Sequence, residues 1–456
     1  MSDRDTYEYL DNVWSYSEPW IYYLIGLYLS MPLIAYSVLP WLFYKRRSGK
    51  RKSISIFVLG DLGHSPRMCY HALSFSKLDY FVNLCGYLET QPSHEIIDDV
   101  NIDISPIEVT KNTKDLPFAL FAIKKIFIQF KQIWKILWNA RGTDYIMIQN
   151  PPSIPVLLII IIFISFFSRQ TKLIIDWHNL NYTILNLRYN NLNHPFVKLV
   201  KFYEKFLGRF AALNITVTKT MRKFLVKEFG FSKSKIVTLY DRPGSQFQPI
   251  SDKRVVFANN ELFHDVNTSE YKILISSTSF TPDEDFNVLL DALKEYESTA
   301  NTPPIFLIVT GKGPLKELFL KTVEKLEFSS KIVIKTAWLS SEDYPKVLGV
   351  ADLGVSLHTS SSGIDLPMKI VDFFGCGVPV VSLNFPAIDE LVKDGVNGLI
   401  TSKKGKPSEE VCRLITKAFT DEKNTLSTIK EGALKESQSR WDENWFQVLG
   451  DRFEVK

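Results

Sequence analysis

The sequence predicts an α/β protein with two Rossmann-like, doubly wound domains, preceded by an N-terminal transmembrane helix. One observation is a series of apolar, strand-like runs separated by helical patterns, at 53–60, 80–87, 145–150, 172–178, 213–218 and 236–241. A second series follows at 272–278, 305–311, 332–338, 353–358 and 379–383. Near-continuous apolar strands that alternate with helices are typical of buried parallel sheets with helices on both faces. The polar segment 242–270 separates the two series and therefore indicates two domains.

The third observation is an uncharged stretch of 25 residues, Trp20–Tyr44, which is long enough to cross a bilayer core of roughly 30 Å. Aromatic residues lie at both of its ends, as in membrane-spanning helices. The segment 1–19 is acidic and 45–52 is basic, so the positive-inside rule predicts a lumenal tail and a cytosolic body. A cleaved signal peptide is the alternative, but the acidic start, the length and the missing small-residue cleavage site argue against it.

Composition limits the possible classes of protein. With 456 residues and 45% hydrophobic content, the chain can form two ordinary domain cores. A net charge of only +4 argues against a nucleic-acid partner. The four cysteines are widely spaced without a CxxC pair, so neither a disulfide framework nor a zinc site is indicated. Glycosylation sequons occur at Asn181, Asn214 and Asn267, and all three stay unmodified if the body is cytosolic.

The predicted organisation has six parts: tail 1–19, transmembrane signal-anchor 20–44, basic linker 45–52, N-terminal domain 53–250, C-terminal domain 271–420 and a helical segment 421–456. Two segments of the N-terminal domain are unusual. The cationic, aromatic-rich segment 116–138 fits a helix in the membrane interface, or a sheet-covering helix whose lysines reach outward. The uncharged run in 152–168 fits a buried or membrane-dipping helix, because a second span would reverse the topology within one sheet.

The most informative segment is 353–381, in which an apolar strand leads into a small-residue loop and then a helix. Free backbone N–H groups and the helix dipole make such a junction an anion site. Lys369 and Asp372 share one helix face, where they can contact a phosphate and a ribose hydroxyl together. The alternative is a capped helix with a surface ion pair between these two residues.

These motifs resemble those of a known family. P-M-K-I-V-D followed by F-F-G-C-G-V-P-V resembles the donor-site signature P-x-K-x-x-E of GT-B glycosyltransferases, with Asp372 where glutamate is usual. HTSSSGIDLPMK, GDLGHSPRMCYHA, QNPPSIP, DWHN, TSFTPDEDF and TGKGPLKE together resemble the chitobiosyldiphosphodolichol β-mannosyltransferases of the dolichol-linked oligosaccharide pathway, across about residues 20 to 440. The resemblance implies a GT-B fold, with two domains facing a cleft and a C-terminal segment that packs back across the junction.

The resemblance also implies an activity. We expect inverting β-1,4 transfer of mannose from GDP-mannose to dolichol-linked chitobiosyl diphosphate at the cytosolic face of the endoplasmic reticulum membrane. Other mannosyltransferases of the pathway are possible partners. The alternatives are a membrane-bound nucleotide-sugar transferase with another lipid acceptor, and a non-catalytic membrane scaffold. Retention of both nucleotide loops argues against the scaffold.

On the donor side, the resemblance implies ribose binding by Asp372 and neutralisation of the leaving diphosphate by Lys312 and Lys369. The remaining implied donor contacts are Thr281, Gly311, Ser361, Ser362 and Gly363. The local pattern also has a structural interpretation, because Thr281 and Glu284 fit a capping box. No D-x-D motif has the right context, so no metal site and no obligatory cofactor are predicted, although a divalent cation can assist.

On the acceptor side, a glycine-rich turn follows the first strand and carries His64, the expected general base. Asp61 is the alternative base, and a purely structural His64 is the third possibility. Gly63 and Arg67 are the expected acceptor contacts. His178, in DWHN, is expected either to contact the donor, to serve as the base, or only to satisfy local hydrogen bonds.

Overall fold

The computed structural model describes residues 19–43, 51–110, 117–281 and 284–454. The predicted tail through residue 18, the basic residues 45–50 and Pro282 lie outside this range.

The N-terminal domain is built on a seven-stranded parallel sheet with strand order β3-β2-β1-β4-β5-β6-β7. Its strands are β1 (Ser53–Asp61), β2 (Phe81–Tyr87), β3 (Ile102–Pro106), β4 (Tyr145–Asn150), β5 (Lys172–Trp177), β6 (Leu213–Thr216) and β7 (Ile236–Thr238). The central strands are buried on both faces, which explains their nearly uninterrupted apolar sequence. The strand order reverses between β1 and β4, and crevices for ligands form at such switch points.

Helices cover both faces of this sheet, preceded by the apolar helix α1. They are α1 (Pro19–Leu42), α2 (Pro66–Lys77), α3 (His94–Ile97), α4 (Phe118–Asn139), α5 (Val156–Phe167), α6 (Asn181–Tyr189), α7 (Pro195–Leu207) and α8 (Lys219–Glu228). The edge strand β3 is absent from the sequence prediction because its residues are mostly half exposed and lack an apolar run.

The C-terminal domain has a six-stranded parallel sheet with order β10-β9-β8-β11-β12-β13. Its strands are β8 (Lys272–Ser277), β9 (Ile305–Thr310), β10 (Ile332–Ala337), β11 (Leu353–Ser356), β12 (Val380–Ser382) and β13 (Gly398–Ile400). Its helices are α9 (Lys253–Asn259), α10 (Asn287–Ser298), α11 (Lys316–Leu326), α12 (Asp343–Gly349), α13 (Met368–Gly375), α14 (Pro407–Thr420) and α15 (Ser427–Glu436). The switch point of this sheet lies between β8 and β11, and the expected α/β class with two Rossmann-like domains is confirmed.

The chain ends against the N-terminal domain, in α16 (Trp441–Trp445), a π-helical turn and α17 (Asp451–Phe453). The indole N–H of Trp441 donates to Ser74 Oγ at 3.0 Å, and that of Trp445 donates to His71 Nδ1 at 2.9 Å. Both acceptors lie on α2, and Trp445 is fully buried. The last turns therefore complete the core of the first domain.

Helix α1 fits a membrane anchor. Trp20–Leu42 spans 23 residues with a mean hydropathy of 1.5, and its apolar window is not buried. It is the one helix among the described residues that is long and apolar enough to cross a membrane. The helix leans on α5, where the rings of Tyr36 and Phe166 lie 6.0 Å apart and Arg169 stacks on Tyr36.

The uncharged helix α5 is 12 residues long, or about 18 Å, which is too short to cross a bilayer core. Half of its side chains are buried in the core of the N-terminal domain. Helix α4 divides into two parts: Ile133 and Leu137 are buried in the core, whereas Leu120, Ile126 and Phe127 are exposed. The sheet-covering interpretation of 116–138 therefore holds for the second half of the helix, and membrane contact by the first half stays a prediction.

Candidate active site

The candidate site lies where the carboxyl ends of the two sheets face each other. Asn179, which follows β5, donates through Nδ2 to Ser361 Oγ at 3.2 Å and to Asp365 Oδ2 at 3.1 Å. Thr218, which follows β6, donates to the carbonyl of Ile364 at 2.6 Å. The loop after β11 therefore bridges the cleft between the domains, close to the switch point of the second sheet.

The expected base and its alternative form one hydrogen-bonded pair after β1. His64 Nδ1 lies 2.6 Å from Asp61 Oδ2, and the other oxygen of Asp61 accepts the backbone N–H groups of Glu89 and Thr90. Burial raises the pKa of Asp61, but hydrogen bonds from Thr90 and His64 outweigh it and hold the pKa below its ordinary value. The ionised carboxylate favours a proton on Nδ1, which leaves Nε2 of the half-exposed imidazole as a proton acceptor.

The glycine of this loop has a packing role. A Cβ on Gly63 would lie 2.8 Å from the carbonyl oxygen of Thr90 and 2.9 Å from that of Gln91. These contacts are closer than side chains tolerate, so only glycine lets segment 90–91 approach and hold Asp61. Acceptor contact at Gly63 stays a prediction.

The prediction that Arg67 contacts the acceptor is wrong. Its guanidinium is buried and donates to both oxygens of Asp176, at 2.8 and 3.0 Å, and to Asp241 at 2.7 Å. The guanidinium also lies 5.3 Å from the ring centroid of Trp441. Burial lowers the pKa of Arg67, but the charges of Asp176 and Asp241 more than reverse this effect. With its charge satisfied inside the protein, Arg67 connects structural elements instead of binding the acceptor.

Asp176 also binds two histidines. His178 Nε2 lies 2.8 Å from its Oδ2, and His71 Nε2 lies 3.2 Å from the same oxygen. Because the indole of Trp445 donates to His71 Nδ1, the remaining proton of a neutral His71 lies on Nε2, toward the carboxylate. Burial is also the main cause that lowers the pKa of His71. Burial alone raises the pKa of Asp176, but Arg67 and His178 hold it well below its ordinary value.

Sequence reasoning did not identify Asp176 as the centre of this network. The available signal was a carboxylate at the end of an otherwise apolar strand, since a buried charge needs partners. His178 is about one-quarter exposed beside Asn179, at the cleft edge. Its role in donor contact or proton transfer stays a prediction.

On the donor side, the loops after β8 and β9 pack backbone against backbone. Gly311 has φ +140°, and a Cβ there would lie 1.8 Å from the carbonyl oxygen of Thr278. Lys312 is exposed on this turn, with its Nζ 4.3 Å from the ring centroid of Trp338. Thr281 bonds to Ser279 through their hydroxyl groups at 2.9 Å. The arrangement positions Lys312 at the rim of the cleft, and the role of Lys312 in donor binding stays a prediction.

Glu284 binds Lys369 instead of capping a helix. The two side chains form an ion pair, and Glu284 also accepts from Thr278 Oγ1 at 2.6 Å. The capping-box interpretation is wrong because α10 begins only at Asn287. The alternative of a surface ion pair between Lys369 and Asp372 is also wrong. Lys369 is instead held at the cleft by a carboxylate that is almost fully buried.

Asp372 has a different environment from every other carboxylate of the cleft. Burial raises its pKa well above the ordinary value, a hydrogen bond from Tyr344 opposes the shift, and the charge of Asp241 adds to it. Within the described residues, no lysine or arginine forms an ion pair with Asp372. Its oxygens therefore have acceptor capacity that the protein itself satisfies only in part.

The serine loop is held mainly by its own residues. Asp365 accepts from Ser360 and from Ser362, the latter at 3.3 Å, while Ser361 contacts Asn179. Gly363 has φ +72°, which glycine adopts without strain, and its N–H donates to Ser360 Oγ at 2.8 Å. Ser361 and Ser362 are thus already hydrogen-bonded, and donor contact by these residues and Gly363 stays a prediction. Within the described residues, no group of three or more His, Cys, Asp or Glu side chains is arranged to hold a metal ion.

Comparisons with known proteins agree with this architecture. The family described as "Glycosyl transferases group 1" matches residues 259–436. A Candida albicans protein named chitobiosyldiphosphodolichol beta-mannosyltransferase is 72% identical over the full length of both chains. A Homo sapiens protein of the same name is 35% identical, covering 93% of this chain and 97% of its own.

Solved structures support the fold. A glycosyltransferase from Rickettsia africae has a TM-score of 0.64 at 16% identity, covering 89% of this chain and 98% of its own. A sucrose-phosphate synthase from Thermosynechococcus elongatus has a TM-score of 0.68 at 12% identity, covering 88% and 98%. At such low identity these likenesses show the GT-B fold alone.

We predict that Lys369→Ala and Asp372→Ala each weaken binding of the nucleotide-sugar donor. Each variant loses a charge-assisted contact of about 1.5–3 kcal/mol, so we expect about a tenfold or greater rise in Kd, measured by calorimetry. Lys346→Ala removes an exposed lysine that pairs with Asp343 and serves as the matched control.

Lys369→Ala leaves Glu284 buried without its cation, so a loss of folding has to be separated from a loss of binding. The double variant Lys369→Met/Glu284→Gln removes both charges and gives this separation. Wild-type donor affinity in a folded double variant and in Asp372→Ala would exclude α13 from the donor site.

Proposed function

Because this chain belongs to the chitobiosyldiphosphodolichol beta-mannosyltransferase family, we propose that it transfers mannose from GDP-mannose to dolichol-linked chitobiosyl diphosphate. The protein is a glycosyltransferase, and the proposed product carries a β-1,4 linkage formed with inversion. The observation that carries the proposal is 72% identity to a protein of that name over the whole chain. The proposed step is an early one in the assembly of the lipid-linked oligosaccharide for N-glycans.

Inversion requires one in-line displacement, in which an acceptor hydroxyl attacks the anomeric carbon and the nucleoside diphosphate leaves. We assign the base to His64, whose Nε2 takes the proton of the hydroxyl. Asp61 holds Nδ1 at 2.6 Å and stabilises the imidazolium that forms. The pair supports this assignment because the carboxylate stays ionised, as its lowered pKa indicates.

The leaving diphosphate gains negative charge, and the C-terminal domain offers cations to balance it. Lys369 projects from the first turn of α13, where backbone N–H groups and the helix dipole also favour an anion. Lys312, on the loop after β9, is the second proposed cation. Asp372 has unused acceptor capacity for the ribose hydroxyls. We propose no obligatory metal, because these groups can supply the stabilisation.

The test of the function is mannose transfer by the purified full-length chain in detergent. We expect product from labelled GDP-mannose and a chitobiosyl diphosphate lipid, with the new linkage cleaved by a β-mannosidase. A lipid with a single N-acetylglucosamine and the donor UDP-N-acetylglucosamine serve as controls. Transfer to the single-sugar lipid at the same rate, or no transfer of mannose at all, would contradict the proposal.

For the base, we predict that His64→Ala lowers single-turnover transfer by roughly 10²–10⁴ while donor affinity changes little. Asp61→Asn should also slow transfer, because the amide no longer favours the required tautomer of His64. The control is His194→Ala, which removes a histidine that hydrogen-bonds only the start of α7. Wild-type turnover in His64→Ala, with loss of turnover in His178→Ala, would move the base to His178.

We further propose that α1 anchors the protein in the endoplasmic reticulum membrane, with a lumenal N-terminus and a cytosolic body. Of the three sequons, only Asn267 is exposed and suits a test of this topology. The amide of Asn181 donates to Asn150, Ser153 and Glu204, and Asn214 is buried and accepts from the indole of Trp177. A glycan at either position would be incompatible with the fold.

We expect no endoglycosidase-sensitive shift of the wild-type chain in cells. Arg4→Asn completes a sequon with Thr6 in the tail and should produce such a shift, which controls for access to the glycosylation machinery. A shift of the wild-type chain that Asn267→Gln abolishes would reverse the proposed orientation.

A further inference from the structure

Helix α8 begins at the edge of the cleft, and a residue of the other domain completes its first turn. The N–H groups of Lys219 and Thr220 have no partner inside the helix, as is usual for a first turn. Both donate to the carboxylate of Glu390, each at 2.7 Å. Glu390 ends the short turn Ile388–Glu390, which follows β12 of the C-terminal domain. A carboxylate of the second domain therefore satisfies the start of a helix in the first.

Two hydroxyl groups bind the same carboxylate. Thr220 Oγ1 donates to Oε1 of Glu390 at 2.5 Å, and the hydroxyl of Tyr240 donates to its Oε2 at 2.6 Å. Tyr240 follows β7 and precedes Asp241, which binds Arg67 inside the N-terminal domain. Among the described residues, every hydrogen bond that the side chain of Glu390 accepts comes from the first domain and none from its own.

The electrostatic environment keeps this carboxylate ionised. Burial raises the pKa of Glu390, but hydrogen bonds from Thr220, from Tyr240 and from the backbone outweigh it and hold the pKa below its ordinary value. Burial is also the main cause that raises the pKa of Tyr240, and the contact with Glu390 adds to it, so the phenol keeps the proton that it donates. The helix dipole favours a negative charge at this end of α8, and hydrogen bonds to an ionised group are stronger than neutral ones. Separation of the two domains would replace all four bonds by contacts with water.

The first turn of α8 also contacts the serine loop of the C-terminal domain. Thr218, which caps α8, donates through its hydroxyl to the carbonyl of Ile364 at 2.6 Å. A second contact between this loop and the first domain runs from Asn179 to Ser361. One helix turn is thus joined to two successive loops of the second sheet, the serine loop after β11 and the turn with Glu390 after β12.

We propose that Glu390 is a positioning residue for transfer, which binds the first turn of α8 and thereby holds the serine loop in place when the two domains are closed. Glu390 itself touches neither the donor nor the acceptor in this proposal. It acts through Thr218 and Ile364, because a turn fixed by four hydrogen bonds presents the Thr218 hydroxyl to the loop at one position. The proposal rests on the proposed function in one respect, since the position of the serine loop matters for transfer only if this loop contacts the donor.

Glu390→Gln tests the contact with little change in side-chain size. A glutamine amide offers one acceptor oxygen instead of two, and its NH₂ group faces the N–H donors of α8. Glu297→Gln is the matched control, because Glu297 also accepts a backbone N–H, that of Ser329, and binds Lys294, but entirely within the C-terminal domain. Tyr240→Phe removes a single donor and leaves the other three bonds.

Spin labels on the full-length chain in detergent measure the distance between the domains. One label is attached at Val100→Cys, since Val100 is 93% exposed in the N-terminal domain, and the other at Leu318→Cys, since Leu318 is 61% exposed on α11. The four native cysteines are buried, and burial raises the pKa of their thiols, so they react poorly with the label.

We expect one main distance in the wild-type background, and a broader distribution with a second population in Glu390→Gln. Glu297→Gln should leave the distribution unchanged. An unchanged distribution in Glu390→Gln, or the same broadening in both variants, would overturn the proposal. This measurement needs no substrate, so it decides the contact between the domains whether or not the chain transfers mannose.

Single-turnover transfer tests the positioning role. At saturating GDP-mannose, transfer per folded molecule should fall by about tenfold or more in Glu390→Gln, and by a smaller factor in Tyr240→Phe. The two changes together should cost less than the product of the separate losses, because both act on one contact.

A merely structural role of Glu390 predicts a different outcome. Glu390→Gln would then lower the melting temperature but leave the transfer rate of the folded protein as in the wild type, and this result would overturn the proposal. If the wild-type chain transfers no mannose, the proposed function fails, while the distance between the labels still decides whether Glu390 holds the domains together.

Discussion

The buried carboxylate of Asp176 holds together elements from distant parts of the chain. It lies next to the end of β5, and through Arg67 and His71 it fixes α2. Arg67 in turn binds Asp241 in the segment that leads to the second domain. Trp441 covers the guanidinium from the last helices. Removing one partner of such a pair leaves an uncompensated charge at a cost of about 3–5 kcal/mol. The placement of α2, β5 and the segment that leads to the second domain therefore depends on this one ionised group.

The two walls of the cleft place their carboxylates in different electrostatic environments. Asp61 accepts hydrogen bonds that hold its pKa below the ordinary value, which suits a group that has to stay ionised beside a histidine. Asp372 is partly buried without an ion-pair partner among the described residues, and desolvation raises its pKa. Opposite environments can give chemically identical groups different roles. In the proposed function, this contrast separates proton transfer by the His64–Asp61 pair from recognition of the nucleotide by Asp372.

The helices α1, α5 and α7 of the first domain show how burial and exposure divide between neighbouring helices. Helix α5 carries no charged residue, yet half of its side chains are buried in the core of the N-terminal domain. Helix α7 has a mixed composition, and its phenylalanines are exposed. Composition alone is ambiguous here because a uniformly apolar helix fits a core as well as a membrane, whereas a stripe of exposed side chains appears only when the packing is known.

The sequence by itself determined the α/β class, the two parallel sheets and the apolar helix at the start, because buried parallel strands and membrane helices need long uncharged runs that are visible locally. It also predicted His64, Lys369 and Asp372 as site residues, because the loops that follow the strands of these sheets meet at the cleft. Only the tertiary structure decided that Arg67 forms ion pairs with Asp176 and Asp241 inside the protein. It also decided that Glu284 binds Lys369, and that the missing side chain of Gly63 lets a neighbouring loop approach. The physical reason is that charge partners and close backbone contacts join residues far apart in the chain, and their pairing is set by packing.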